Sequence, residues 1–311
     1  MHSIQRAAQL LKDDKLVAMP TETVYGLAGN ALSDNAVAAI YAAKGRPQFN
    51  PLIVHVRSLD DAMRYAQFSE EAQAVAKRFW PGPLTLVLPR RKDCALSLLV
   101  SAGLESVALR VPAHPVAQAL LEASGLPIAA PSANRSGRIS PTRAEHVQEE
   151  LGDRVAMILD GGACDIGIES TVVSFMGATP KILRPGSVTG QMLGYAVDTS
   201  GGVQAPGMLA SHYAPECKMR LNATSLRPGE VLLAFGAQVP HGALVCENLS
   251  VKGDTQEAAA NLFRMLRALD ASEADCIAVM PVPEEGLGAA INDRLRRGAS
   301  SKILPPPEGG G

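Results

Sequence analysis

Residues 15–27 read KLVAMPTETVYGL, an apolar run that leads into polar residues instead of a turn built from Gly, Asn or Asp. The apolar part, residues 16–20, is typical of a buried strand. The polar part places two hydroxyls and a carboxylate, those of Thr21, Thr23 and Glu22, at the end of that strand. Ligands of open α/β sheets gather where strands end and loops diverge, so this stretch predicts a binding site.

Short apolar runs alternate with helical patterns through the first 190 residues. Strands are predicted at residues 16–20, 51–56, 84–90, 107–112, 126–131, 156–162, 170–175 and 181–186. Helices are predicted at residues 3–12, 34–44, 59–66, 69–78, 114–124 and 141–151. This alternation predicts an α/β domain with a twisted, mixed sheet.

A second region follows a break in this pattern. Residues 198–215 are rich in Gly, Pro and Ser, which predicts an interdomain linker. Beyond it, strands are predicted at 230–236, 242–250 and 276–283, and helices at 255–270 and 287–297. That order suits a small Rossmann-like, doubly wound α/β sheet. The predicted organisation is a first domain over 1–197, a linker over 198–215 and a second domain over 216–311.

Composition narrows the class of protein. The chain has 311 residues, of which 47% are hydrophobic, so it can bury a sizeable core and two domains are expected. Its formal net charge of −2 does not favour a protein that grips nucleic acid through many phosphates, although a local basic cleft is still allowed. No apolar stretch is long enough for a membrane span, and the N-terminus lacks a signal-peptide pattern, so a cytoplasmic location is expected.

A Gly-Arg-Pro turn at residues 45–47 carries the first cluster of cations. Lys44 ends a predicted helix, where a cation offsets the helix dipole without any further role. That interpretation leaves Arg46 and Asn50 unexplained. A rigid turn that presents Lys, Arg and Asn together suits a polyanion such as a triphosphate.

Two predicted strands carry polar side chains within them. His55 lies in an apolar strand, where a lone histidine is more often a packed core or surface residue than a ligand contact. Arg110 lies in a strand that is apolar on both faces, and a buried guanidinium needs a partner. That partner is either an Asp or Glu of the protein or the carboxylate of a ligand. The spacing favours neither.

Further polar residues follow later strands. Ser132 and Asn134 come directly after a buried strand, and Ser140 precedes a proline in the pattern of a helix N-cap. Helix N-termini also bind phosphate, so Ser140 suits both roles. Ser170 stands at the mouth of another strand, and Arg184 precedes a Pro-Gly turn. Hydroxyls and cations at so many strand ends indicate one polar cleft.

Seven motifs stand in a fixed order along the chain, namely PTETVYGL, KGRPQFNPL, FWPGPLTLVL, LRVPAHP, APSANRSGRISPT, IESTVV and ILRPGSV. Two more, SHYAP and INDRLRR, follow them. From near residue 4 to near residue 300 the sequence resembles the threonylcarbamoyl-AMP synthases in their long, two-domain form.

The resemblance implies a YrdC-like catalytic domain with a concave cleft and a nucleotidyltransferase reaction. L-threonine, bicarbonate and ATP, with Mg²⁺, would give L-threonylcarbamoyladenylate and pyrophosphate. A separate transferase would then carry the threonylcarbamoyl group to the adenosine beside the anticodon of tRNA. The resemblance assigns no metal ligand, and it leaves open whether the chain itself makes a weak contact with RNA.

The resemblance also assigns residues. It places L-threonine near Thr23, His55, Arg110 and Ser170. It places ATP near Lys44, Arg46, Asn50, Ser106, Ser132, Asn134, Ser140 and Arg184, with Tyr213 of the linker closing over the nucleotide. Lys44 and Arg46 are the expected catalytic residues, acting by charge neutralisation. Glu22 and Glu169 are acidic neighbours without an assigned role.

Two other functions compete with this one. One is an RNA-binding or ribosome-assembly module of the same fold, which the near-neutral charge disfavours. The other is a carbamoyltransferase that uses carbamoyl phosphate, as in hydrogenase-maturation proteins. Such a chain would carry zinc-finger cysteines, whereas the five cysteines here include no C-x-x-C pair.

Overall fold

The computed structural model describes residues 2–47, 49–198, 212–272 and 274–300. These residues form a nine-stranded sheet in the first part of the chain and a four-stranded sheet in the second. No helix among them is long and apolar enough to cross a membrane.

The nine-stranded sheet is mixed. Its strands are β1 (Val17–Met19), β2 (Gly26–Asn30), β3 (Ile53–His55), β4 (Leu84–Pro89), β5 (Ser106–Arg110), β6 (Ile128–Ala129), β7 (Met157–Ile158), β8 (Thr171–Ser174) and β9 (Lys181–Arg184). They lie in the order β7-β1-β2-β6-β3-β5-β4-β8-β9. The pairs β1–β7, β3–β5 and β4–β8 are parallel, and the other neighbours are antiparallel. The predicted mixed sheet is confirmed.

Helices accompany this sheet, and most lie where the pattern predicts them. They are α1 (His2–Lys12), α2 (Asp34–Lys44), α3 (Leu59–Ala62), α4 (Glu70–Phe79), α5 (Pro115–Ser124), α6 (Ala144–Leu151) and α7 (Gly190–Leu193). In α2 the signals are local, since the Ser33 side chain caps the Ala36 N–H and Gly45 ends the helix at φ 59°. Both ends could therefore be predicted.

The four-stranded sheet is wholly parallel. Its strands are β10 (Lys218–Arg220), β11 (Glu230–Ala234), β12 (Cys246–Asn248) and β13 (Cys276–Val279), in the order β10-β13-β11-β12. The helices α8 (Thr255–Asp270) and α9 (Leu287–Ala299) accompany it. The predicted small α/β unit is confirmed, with β10 as an additional strand.

Two local predictions differ from the structure. The strand β2 was not predicted, because its sequence GLAGN has no β-branched residue; pairing with β1 on one side and β6 on the other supports it. The prediction of Ser140 as a helix N-cap is wrong. Helix α6 begins at Ala144, and Arg143 precedes it without a side-chain cap. The Ser140 hydroxyl instead bonds the Glu169 carboxylate.

Apolar contacts join the two sheets. One core cluster combines Val24, Ile139 and Ile168 of the first part with residues of the second, including Phe263 and Leu295. The predicted linker lies outside the described residues from 199 to 211, but its end, with His212 and Tyr213, is described and buried. The two parts are therefore packed directly on each other, whereas the exact domain limits stay a prediction.

Candidate active site

A polar cavity lies where strands of the large sheet end. The predicted residues that line it are Thr23, Arg46, His55, Arg110, Ser132, Ser170, Arg184 and Tyr213. The chain thus brings together residues that lie far apart in its sequence.

Arg110, at the end of β5, has a partner within the protein. Its Nη2 donates to Glu22 Oε1 (2.6 Å), Nη1 donates to Thr23 Oγ1 (2.9 Å), and Nε donates to the main-chain oxygen of Gly82 (3.2 Å). A guanidinium has five N–H groups. Within the described part of the chain two of these N–H groups have no partner. Arg110 can therefore bind the Glu22 carboxylate and a ligand carboxylate at the same time.

The pairing with Arg110 also fixes the charge of Glu22. Burial opposes ionisation, but the Arg110 guanidinium and two backbone N–H groups outweigh it and hold the pKa of Glu22 below its ordinary value. Glu22 Oε2 accepts one of those bonds, from the Ala113 N–H (3.1 Å). Glu22 therefore holds Arg110 in place as an ionised carboxylate.

His55 lies beside Arg110, because the two residues are partners in the register of β3 and β5. Its side chain is buried, and within the described part of the chain its Nδ1 has no hydrogen-bond partner. Burial, then the nearby Arg110, lowers the pKa of His55 to about 3. The imidazole is neutral at neutral pH and can donate a hydrogen bond to a ligand in the cavity or accept one from it.

Lys44 and Arg46 are buried cations that bond to uncharged oxygens. Lys44 Nζ donates to the main-chain oxygens of Ser132 (2.6 Å) and Asn134 (2.5 Å). Arg46 donates to those of Asn50 (3.2 Å) and Pro51 (3.0 Å). Burial lowers the pKa of Arg46 to about 10 and that of Lys44 well below its ordinary value. An anionic ligand would relieve this electrostatic cost.

The loop after β6 is shaped by its own polar groups. Lys44 does not line the cavity but holds this loop through the two main-chain bonds. Asn134 Nδ2 donates to the main-chain oxygens of Arg135 (2.8 Å) and Arg138 (2.9 Å). Among the polar residues of this loop, Ser132 lines the cavity. Asn134 therefore positions the loop.

Besides Lys44 and Asn134, three further predicted ATP residues do not line the cavity. Ser140 contacts it only through Glu169. Asn50 is fully buried, and both polar atoms of its side chain lack a partner among the described residues. Ser106 is at the start of β5, at the opposite end from Arg110. For Asn50 and Ser106, contact with ATP stays a prediction.

Ser170 and Arg184 form another part of the cavity wall. The Ser170 hydroxyl lies 2.8 Å from Thr85 Oγ1. Arg184 donates from Nη2 to that hydroxyl (3.1 Å) and from Nε to the main-chain oxygen of Ser170 (3.0 Å). Burial lowers the pKa of Arg184. Arg184 therefore adds a buried guanidinium to those of Arg46 and Arg110.

Tyr213 and His212 cover the cavity from the side of the second sheet. The Tyr213 ring stacks on Phe263 at 5.6 Å, and the His212 ring lies 4.0 Å from it. The Tyr213 hydroxyl is buried without a partner among the residues that the structure describes. Burial raises the pKa of Tyr213 to about 12, so the phenol stays protonated and can donate a hydrogen bond.

Sequence reasoning placed Thr21 at the site without a specific role, and it missed the contributions of His212 and Arg294. Thr21 Oγ1 lies 2.9 Å from Thr23 Oγ1 and donates to the main-chain oxygen of Val24 (2.6 Å), so it closes the loop after β1. Arg294 bonds Glu169. The motifs SHYAP and INDRLRR contain His212 and Arg294, and they were the available signal, but spacing alone gives neither residue a contact.

Comparison with known families gives two matches that together span almost the whole chain. A family model described as "Telomere recombination", which groups Sua5, YciO and YrdC, matches residues 9–186. A model described as "Threonylcarbamoyl-AMP synthase, C-terminal domain" matches residues 179–300.

Individual relatives match at full length. The threonylcarbamoyl-AMP synthase of Pyrococcus abyssi is 41% identical over 97% of this chain and 95% of its own length. That of Bacillus subtilis is 41% identical over 97% and 94%. The crystal structure of P. abyssi Sua5 complexed with L-threonine superposes with a TM-score of 0.88, at 39% identity, over 97% of this chain and 96% of that one.

Proposed function

Because the chain belongs to the threonylcarbamoyl-AMP synthase family, we propose that it joins L-threonine, bicarbonate and ATP into L-threonylcarbamoyladenylate and releases pyrophosphate. The full-length similarity to synthases favours this reaction over an RNA-binding module or a carbamoyltransferase. A separate tRNA threonylcarbamoyl transferase would consume the product, in the cytoplasm, to modify the adenosine beside the anticodon.

The observation that carries the proposal is the division of the cavity into two polar groups. Thr23, His55, Arg110 and Ser170 offer hydrogen bonds and one guanidinium, which suits the carboxylate, amine and hydroxyl of L-threonine. Arg46 and Arg184 offer positive charge, which suits the phosphates of ATP. Both groups line the same cavity, so the two substrates would meet there.

The chemistry needs positioning more than a nucleophilic side chain. The uncharged amine of threonine attacks bicarbonate with loss of water, or CO₂ with loss of a proton, to give a carbamate. A carbamate oxygen then attacks the α-phosphorus of ATP and expels pyrophosphate. Arg46 and Arg184 neutralise charge that develops on the phosphates, and Lys44 holds the loop that bears Ser132.

We propose that Mg²⁺ binds only in complex with ATP. Among the described residues no cluster of three or more His, Cys, Asp or Glu side chains could hold a metal. Glu169, which lines the cavity, is already paired with Arg294, and Glu22 beside the cavity is paired with Arg110. Mg²⁺ commonly binds through substrate phosphates and water, so the ion would arrive with the nucleotide.

We further propose that the predicted linker over 198–215, of which residues 199–211 lie outside the described residues, closes over the nucleotide through its described end. Tyr213 and His212, at its end, already cover the cavity and would exclude water from a labile adenylate. Protease protection of the linker by ATP with threonine would support a closing lid. Cleavage that ignores both ligands would contradict it.

Mass spectrometry of a mixture of the chain with ATP, L-threonine and bicarbonate tests the function directly. We expect a threonylcarbamoyladenylate peak that disappears when any substrate is omitted. Valine should react roughly 10- to 100-fold less efficiently than threonine and less well than serine, because an unsatisfied buried polar group costs about 1–3 kcal/mol. No adenylate with all substrates present would refute the reaction, and equal turnover of valine would refute the assigned threonine site.

A further inference from the structure

Helix α9, which accompanies the second sheet, contacts the lining of the cavity through one buried arginine, Arg294. The Arg294 side chain is fully buried, at 0% exposure. Its Nε donates to Glu169 Oε2 (3.1 Å) and its Nη2 donates to the Glu169 main-chain oxygen (3.3 Å). Its Nη1 donates to the main-chain oxygen of Pro185 and to Asp293 Oδ2 (3.2 Å). The Arg294 guanidinium therefore holds two segments that lie 125 and 109 residues away from it in the sequence.

Those two segments carry the wall of the cavity. Glu169 lines the cavity itself and directly precedes Ser170, and Pro185 directly follows Arg184. The second Glu169 oxygen, Oε1, accepts the Ser140 hydroxyl. One carboxylate thus connects the loop after β6, the start of β8 and helix α9.

The same helix supports the cover of the cavity. The Arg294 guanidinium carbon lies 5.5 Å from the centre of the Tyr213 ring. Gly298, one turn further along α9, is so close that an added Cβ would lie 3.0 Å from the Tyr213 main-chain oxygen. Arg294 therefore contacts both the wall and the cover.

The charge of Glu169 gives this contact a consequence for ligand binding. Glu169 is close enough to Arg184 to raise the pKa of that guanidinium, while burial lowers it. If Arg294 were removed, the buried carboxylate would lose its main counter-charge. It would then turn toward the cavity cations and cancel part of the positive charge that phosphates need.

We infer that Arg294 is a positioning residue of the active site. It holds the Glu169 carboxylate in an ion pair, so that this carboxylate does not pair with the phosphate-binding cations. Arg294 thereby links the second domain to nucleotide binding. The inference rests on the proposed function. It assigns a role to the second sheet that neither its fold nor the family match specifies.

Steady-state kinetics of the full chain test it. Pyrophosphate release is measured with ATP varied at saturating threonine and bicarbonate, and then with threonine varied. In Arg294→Met we expect KM for ATP to rise at least about 10-fold, because the unpaired Glu169 carboxylate would cancel part of the charge of the phosphate-binding cations, while KM for threonine changes less. The double variant Arg294→Met with Glu169→Gln should recover ATP binding, because no displaced carboxylate is left.

A matched control comes from the same helix. Arg296 is 56% exposed and pairs with Glu284 at the surface, so Arg296→Met should retain wild-type kinetics. Melting temperatures of all variants separate loss of fold from loss of binding. An unchanged KM for ATP in Arg294→Met, or a double variant that stays as impaired as the single one, would overturn the inference.

The experiment also distinguishes a folding failure of the single variant from a failure of the proposed function. If Arg294→Met does not fold, the double variant carries the test, and a folded double variant that binds ATP 10-fold more weakly contradicts the inference. If the wild-type chain makes no adenylate, the proposed function fails. Calorimetric titration of the same variants with ATP then still measures the effect of Arg294 on nucleotide binding.

Discussion

Acidification from pH 7 to pH 5 should destabilise the protein through His55. The pKa of this imidazole is about 3 in the folded chain, because it is buried and lies beside Arg110, with Glu22 opposing in part. The ordinary value for histidine is about 6.5. Between these two values the unfolded chain binds a proton that the folded chain does not, so stability falls as the pH falls.

The magnitude follows from the two pKa values. At pH 7 the unfolded imidazole is mostly neutral, and the cost is close to zero. At pH 5 it is mostly protonated, whereas the folded His55, with its pKa of about 3, is not, and the difference amounts to about 2 kcal/mol. Burial also lowers the pKa of His146, to about 4, and that of His212, and both act in the same direction. A substitution must therefore isolate His55.

Two measurements check this prediction. Nuclear magnetic resonance titration of the ring protons should show no protonation of His55 above pH 5, and His55→Gln identifies its signals among those of the six histidines. Urea unfolding at pH 7 and pH 5 should show a pH dependence about 2 kcal/mol smaller in His55→Gln than in the wild type. A His55 resonance that titrates near pH 6.5 in the folded protein, or an equal pH dependence in both chains, would refute the reasoning.

Three other substitutions test residues that line the cavity. Arg46→Ala, with Ser132→Ala alongside it, should weaken ATP binding by about 1.5–3 kcal/mol with the melting temperature retained, and unchanged calorimetric affinity in both would remove these residues from the site. Tyr213→Phe retains the ring that stacks on Phe263 but deletes a hydroxyl that is buried without a partner in the described part of the chain. Its melting temperature should be equal or higher while nucleotide affinity falls; a lower melting temperature with unchanged affinity would assign the hydroxyl a structural role instead.

Local signals in the sequence predicted most of the fold. Helix α2 has its cap, its periodicity and its terminating glycine within a dozen residues, and the observed ends agree with the prediction. The strands of the large sheet other than β2 were predicted from apolar runs alone. Strand β2 was not, because two neighbouring strands stabilise it and its own residues do not favour a strand.

The candidate site was predicted in its members but not in its pairings. Arg110 was expected to need a partner, and Glu22 supplies it from 88 positions away in the chain. Ser140 matched a local capping pattern, yet a carboxylate 29 residues later takes its hydroxyl. In both cases the partner is a carboxylate that lies far away along the chain, and a single sequence does not show which carboxylate this is.

The same long-range pairings explain how a chain of net charge −2 can form a site for a polyanion. Glu169 in the cavity and Glu22 beside it are each paired with a different arginine, so neither is available to cancel other charges. Lys44 and Arg46 meet uncharged main-chain oxygens instead. The positive charge is therefore local and buried, where it is screened least, and an overall count of charged residues does not detect it. Since one of the two neutralising arginines comes from helix α9, the electrostatics of the cavity are complete only when the second sheet is docked on the first.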